Sequence, residues 1–149
     1  MNKSYPLLFI LILIINSNVW AKKKDITYPV SNISEEFKKG ANTVVRLSET
    51  TFTVESISKA RLKNHVVITI LNKKGEYASK KQVSYDKLLK LKYFKICIYD
   101  AEGKLIKKAK SSDIKDYSAT SGGTLFDDSR VKYYEALQNK YPFTIEYEY

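Results

Sequence analysis

Residues 66–71 read Val-Val-Ile-Thr-Ile-Leu, a β-branched run with apolar side chains on both faces of its two-residue alternation. Val66, Ile68 and Ile70 fall on one side and Val67, Thr69 and Leu71 on the other, the pattern of a strand that is interior to a sheet. From there to residue 107 the chain has the rhythm of hairpins. Lys73-Lys74-Gly75 is expected to turn the chain, with Gly75 taking a positive φ. A second, lysine-bearing and more exposed strand is expected over 77–85. A strong third one spans 93–99, with Phe94, Ile96 and Ile98 on one face. Asp100-Ala-Glu-Gly103 places Asp first and Gly last in a turn, and 104–107 returns antiparallel. The rest of the chain is expected to cover or extend this sheet.

Residues 1–21 look like a targeting segment. Lys3 makes a positive start, 7–15 is an unbroken apolar run, and Val19-Trp20-Ala21 precedes Lys22-Lys23-Lys24. The apolar run is about half of the roughly 20 residues that a spanning helix needs. The expectation is a cleaved signal peptide, 1–21, no transmembrane anchor after cleavage, and export to the periplasm or beyond the cell. Cys97 is the only cysteine, so no intramolecular disulfide can form and an exported chain must rest on its core. The formal net charge of +10 invites a nucleic-acid reading. Lysines scattered over strands and turns point instead to a solvated coat, with at most a salt-sensitive attraction to anionic envelope polymers.

Between leader and central strand, 32–40 is expected to be a short helix capped by Asn32, ended by Gly40, and laid on the sheet by Ile33 and Phe37. Residues 43–47 are expected to form a short buried strand and 49–57 a separate alternating one. After 107, 111–118 alternates weakly, 119–124 is a Gly/Ser/Thr-rich loop, 131–137 can form a strand, and 139–143 turns. The segment 144–149 is a strand with Ile145, Tyr147 and Tyr149 on one face. With neither a repeat nor a linker in it, 22–149 is expected to be one domain. The fold class expected is all-β, an antiparallel β-sandwich with one short N-terminal helix.

The order of these pieces resembles the domain of unknown function that stands N-terminal to transglutaminase-like domains in exported bacterial proteins, mostly of the Bacteroidetes. The resemblance covers about 33–149. It rests on Gly40-Ala-Asn-Thr-Val-Val-Arg-Leu47, Ile70-Leu-Asn-Lys-Lys-Gly75 and Ile98-Tyr-Asp-Ala-Glu-Gly-Lys-Leu-Ile106. It rests also on Asp113-Ile-Lys-Asp116, Asp128-Ser-Arg-Val131 and Thr144-Ile-Glu-Tyr-Glu-Tyr149. The resemblance implies a β-sandwich that serves as a non-catalytic partner of a papain-like transglutaminase or peptidase domain in a longer chain, where the Cys, His and Asp would lie. Family members often carry Pro-Gly before the last strand, whereas here Pro142 precedes Phe143. The family supplies no functional residues to carry over.

Few residues could do chemistry. Cys97 and His65 are the only thiol and imidazole. Cys97 lies inside a strand between isoleucines, where a small buried hydrophobe is expected rather than an activated nucleophile. His65 belongs to the central strand, on the side of Val67. One His and one Cys cannot build a zinc site. Asp127 and Asp128 with Asp116 or Glu135 lack calcium-loop spacing and are expected to form turns and pair with Arg130. Gly122-Gly123 opens no helix and makes no phosphate cradle. No catalytic residue, metal or cofactor is therefore expected. Aromatic rings on strands mostly pack across the sheet. Tyr133, Tyr134, Tyr147 and Tyr149 are the candidate binding residues if some of those rings face out. The expected role is a non-enzymatic accessory domain of an exported transglutaminase-like protein; the alternative is a stand-alone module that binds a cell-envelope glycan or peptide.

Overall fold

A computed structural model describes residues 27–119 and 128–149. Residues 1–21, expected to be a signal peptide, lie outside the described residues, as do Gly122, Gly123 and Asp127. Two short helical pieces open the chain, a 3-10 turn at Val30–Asn32 and α1 at Glu35–Lys38. Strands follow in the order β1 (Thr43–Ser56), β2 (Lys59–Ile70), β3 (Lys80–Tyr85), β4 (Lys95–Tyr99), β5 (Leu105–Lys108), β6 (Lys115–Ser118), β7 (Arg130–Glu135) and β8 (Phe143–Glu148). They form two antiparallel sheets, β1-β2-β8-β4-β5 and β3-β7-β6. The protein is an all-β sandwich, as its alternating runs imply.

The alternation decides what each face buries. Ile68, Ile145 and Ile98 stand abreast on β2, β8 and β4, and so do Val66, Tyr147 and Ile96. Ile96, Ile98, Ile145 and Tyr147 form the core with Ile70 and Phe143, Ile68 packs against it, and Tyr134 and, just beyond β7, Ala136 close it from the second sheet. Tyr147 is fully buried, and its hydroxyl donates to the carbonyl of Ser79 at 2.8 Å. The opposite face of the same rows carries Thr69-Thr144-Tyr99, then Val67-Glu146-Cys97, then His65-Glu148-Lys95. Its first row is also buried, because the segment 28–33 folds across it. Val30 and Ile33 are buried there, the Val30 amide donates to the Ala101 carbonyl at 2.8 Å, and the Tyr28 ring meets Tyr99 edge-on at 5.2 Å.

Five expectations need correction. Residues 43–47 and 49–57 are one edge strand, mostly exposed, not a buried strand and a separate one. A bulge at Arg46 absorbs one residue and lets the pairing with β2 run on to Ser56. No hairpin follows β2, because Lys73–Ser79 is a 3-10 helix, seeded where the Asn72 side chain accepts from the Lys74 amide at 3.0 Å. The strand expected from Tyr77 starts at Lys80 and lies in the other sheet. Gly75 does not have a positive φ; only Gly40 and Gly103 do among the described residues. Finally, α1 is a single turn that begins after Ile33, so Ile33 and Phe37 do not share a stripe. Ile33 is buried and Phe37 is 65 % exposed. The Asp100–Gly103 turn forms as expected, with Gly103 donating to the Asp100 carbonyl at 3.0 Å.

Candidate functional site

Titratable groups converge on the face of the five-stranded sheet that 28–33 only partly covers. Glu146, on the central strand β8, accepts from His65 Nε2 at 2.6 Å, from the Tyr99 hydroxyl at 2.5 Å and from the Tyr28 hydroxyl at 3.3 Å. Carboxylate, imidazole and phenols thus tie β2, β8, β4 and the N-terminal segment together. The bulge on β1 brings Arg46 to the same face, where its Nη1 donates to the carbonyls of Tyr28 at 2.7 Å and Pro29 at 3.0 Å. The guanidinium also lies 5.6 Å from the centre of the Tyr28 ring. One row outward, Glu148 accepts from Lys95 at 2.9 Å and pairs with Lys63 at 3.3 Å. The hydrogen bond from Lys95 comes first among the causes that hold its carboxyl below the usual range.

Cys97 sits beside Glu146 at the edge of this network. The thiol is pushed above its ordinary value by burial and then by the Glu146 charge, the opposite of what a nucleophilic cysteine needs. His65 is on β2 and Cys97 on β4, in different rows and with β8 between them, so their backbones lie more than the roughly 9–10 Å of two strand spacings apart. The imidazole is engaged by Glu146. The two residues meet the same carboxylate without meeting each other, and the arrangement holds no thiolate–imidazolium pair. The opening lined by Lys95, Cys97, Glu146 and Glu148 is about 110 Å³, well below the roughly 300 Å³ at which small-molecule pockets begin.

The phenols in the network make a pH prediction. Burial, then the charge of Glu146, pushes Tyr28 up to about 12, and Tyr99 is raised further by burial followed by its bond to Glu146. An unfolded tyrosine ionises near about 10. A phenol whose folded pKa is raised adds stability that is fully present below pH 10 and is lost as the pH climbs through 12. Urea melts taken between pH 9 and 12 should show stability falling steeply. A Tyr99→Phe variant should be weaker at pH 8 yet fall less steeply; parallel curves for the two proteins would refute the assignment.

The family model described as Domain of Unknown Function with solved-structure structure, DUF3857, matches residues 58–149. The chain belongs to the DUF3857 family. No curated protein and no solved structure matches the chain. The DUF3857 match carries β2 through β8, and with them His65, Cys97, Tyr99 and Glu146. It leaves out Tyr28 and Arg46, so the clamp on the N-terminal segment lies outside the matched span.

The structure divides the four candidate tyrosines. Tyr134 and Tyr147 are core residues. Tyr133, on the other face of β7, is half-buried and donates to Glu135 at 2.7 Å. Tyr149 stands edge-on to Phe94 at 6.1 Å, under the Lys81 ammonium at 4.9 Å. They do not share a surface. The acidic candidates are engaged by cations: Asp116 with Arg130 at 3.0 Å and Lys132 at 3.2 Å, Asp128 with Lys87 at 3.5 Å, and Glu135 with Lys80 at 3.5 Å. No group of three metal-ligating side chains converges among the described residues, and none of their helices is long and apolar enough to cross a membrane.

Two surface features went unread in the sequence. A groove of about 620 Å³ runs between 100–102 and 137–143, at the end of the sheet away from His65, with Ile106, Leu137, Tyr141 and Phe143 among its lining residues. At the other end, β8 pairs with β2 only as far as His65, and Tyr149 bonds to Asn64. Beyond that row β1 and β2 continue as a two-stranded arm. Phe52 opposes Leu62 and Val54 opposes Ala60 on its apolar face, while Thr51, Thr53, Arg61 and Lys63 lie on the polar one. Phe52 and Val54 are about two-thirds exposed, and Ile57 at the tip is wholly so. Glu55 bridges Lys59 at 2.5 Å and Arg61 at 2.8 Å near the tip. The alternation of 49–57 marks the strand; what it could not reveal is that neither sheet covers it.

Proposed function

We propose that the chain is a non-catalytic accessory domain of an exported transglutaminase-like protein, and that it positions the catalytic domain or its substrate. The arm carries this reading. A two-stranded ribbon with one apolar and one ion-paired face has no third strand beside it among the described residues, and β-branched and aromatic side chains on such a face suit it to pack against another folded unit. The rigid sheet behind it, tied by Glu146 to three neighbouring segments, would hold the arm without an ordering cost at docking. The resemblance of the strand motifs supplies the nature of the partner, and the leader-like residues 1–21 supply the expectation of export. A raised thiol pKa and an engaged imidazole favour a binding role over catalysis within this domain.

The encoding gene and the intact protein test the proposal. The reading frame, or a co-purifying protein, should carry a domain with Cys, His and Asp in transglutaminase-like order. Phe52→Ser with Leu62→Ser should lower that domain's activity by about tenfold without shifting the melting temperature of the sandwich. Cys97→Ser should leave activity unchanged. The reading is wrong if no such catalytic domain accompanies the chain, or if the arm variant is fully active.

The groove favours a second reading, a stand-alone module for an envelope glycan or peptide. Its mixed lining, with Leu137 and Tyr141 beside Gln138 and Asn139, offers stacking and amide hydrogen bonds together. Binding there would shift the amide resonances of 137–143 when an envelope glycan fragment is added, and Tyr141→Ala would abolish the shifts.

A further inference from the structure

The connection between β3 and β4, residues 86–94, has leucines where a solvated loop would have none. It reads Asp-Lys-Leu-Leu-Lys-Leu-Lys-Tyr-Phe. Asp86 holds it in a tight turn. Its Oδ1 accepts from the Leu88 amide at 2.7 Å and the Leu89 amide at 2.6 Å, and its own amide donates to the Leu89 carbonyl at 3.0 Å. The turn directs Leu88 and Leu89 outward, 97 % and 61 % exposed, while Leu91 folds back and is half-buried. Around the two leucines stand Lys87, Lys90 and Lys92, all exposed. Lys87 reaches Asp128 at 3.5 Å, with most of its side chain in water, and Lys90 and Lys92 make no ion pair among the described residues. Tyr93 comes next, with the Lys95 ammonium 4.7 Å from its ring centre.

We infer that this loop docks the protein on a bilayer surface that bears anionic phospholipid. Two leucines on a rigid turn can enter the boundary between headgroups and acyl chains while flanking lysines extend to the phosphates. Lysine suits that partner. It is depleted in the cores of protein–protein contacts, where aromatic rings and arginine dominate, and it is the flexible point charge that lipid phosphates attract. Asp86, the sole acid of the loop, turns its Oδ1 to two backbone amides, and three lysines outnumber it, so the loop carries a net positive charge, as does the whole chain at +10. The turn is already formed, so docking orders nothing new. This inference is independent of the accessory role and of the arm.

Co-sedimentation of the chain with unilamellar vesicles tests it. Binding is expected to vesicles of equal parts phosphatidylcholine and phosphatidylglycerol at low salt and not to pure phosphatidylcholine, and it should weaken as salt screens the lysines. Leu88→Ser with Leu89→Ser should weaken binding by about tenfold. So should Lys87→Gln, Lys90→Gln and Lys92→Gln together. Removing three lysines from the far end of the sheet, Lys73, Lys74 and Lys140, should change it much less. Thermal melts confirm that each variant folds. Failure of the native chain to bind the anionic vesicles, equal binding by the leucine variant, or an equal loss in the far-end variant would each overturn the inference; the last would reduce it to diffuse charge attraction.

Discussion

Ile145→Ala should lower the free energy of unfolding by about 4 kcal/mol, near the upper end for deletion of a buried isoleucine side chain. Ile145 is fully buried on β8, with Ile68 on one side and Ile98 on the other. Ladder hydrogen bonds hold β8 from both sides, so the backbone cannot settle into the void, and most of the cavity term survives. A domain of this size has a total stability of about 5–15 kcal/mol, so the variant should be close to unfolding. A urea titration reads the loss as a lower midpoint at unchanged slope. Val45→Ala is the control. Val45 is just as β-branched but lies 60 % exposed on the edge strand, and its loss should cost no more than about 0.5 kcal/mol. Equal losses at the two sites would mean that β8 is not the centre of the fold.

The alternation of side chains made most of this sheet legible. Tyr147 and Ile145 share a face because the period is two, and the same count puts Ile96 and Ile98 together. Periodicity does not say which sheet a strand joins. The strand after Gly75 crosses to the second sheet because Asn72 caps a 3-10 helix there, a local hydrogen bond that the hydrophobic pattern cannot register. Nor does periodicity tell an inward tyrosine from an outward one: Tyr134 and Tyr133 are neighbours on β7 with opposite fates. The Glu146 network was half visible. Acids at 146 and 148 alternate with Ile145 and Tyr147, which marks a polar face on a strand of strong β character. Its partners came from 81 and 118 residues away, and no local pattern could have named them.

The arm and the leucine turn leave from the same end of the five-stranded sheet. Strands β2 and β1 run past the His65–Glu148 row as the arm, and the chain that enters β4 at Lys95 arrives beside that same row. The polar network thus lies between the buried body of the sheet and the end from which the arm and the leucine turn depart. A rigid junction there serves both proposed contacts, with a protein through the arm and with a lipid surface through 86–94. Each can be removed without touching the other, which is why the activity and vesicle experiments separate them.

Gly75→Ala should cost about 3 kcal/mol, a large value for one added methyl group. A Cβ at this position would lie 2.4 Å from the Asn42 carbonyl oxygen and 2.8 Å from Thr43 Cγ2. That carbonyl cannot move away freely, since it accepts from the Leu71 amide at 2.9 Å and so joins the start of β1 to the end of β2. The glycine is needed for close approach of two backbones, not for its φ, and asparagine separates the explanations. Asparagine tolerates the left-handed region better than alanine does. At Gly40, where φ is +73° and no atom lies within 4 Å of a built Cβ, Asn should be better tolerated than Ala. At Gly75, Asn should be no better than Ala, because its Cβ meets the same carbonyl. Urea midpoints for the four variants decide it. If Gly75→Asn recovers the stability that Gly75→Ala loses, the residue is required for its backbone angle, and the packing of the 3-10 helix against Asn42 is not what fixes the crossover between the sheets.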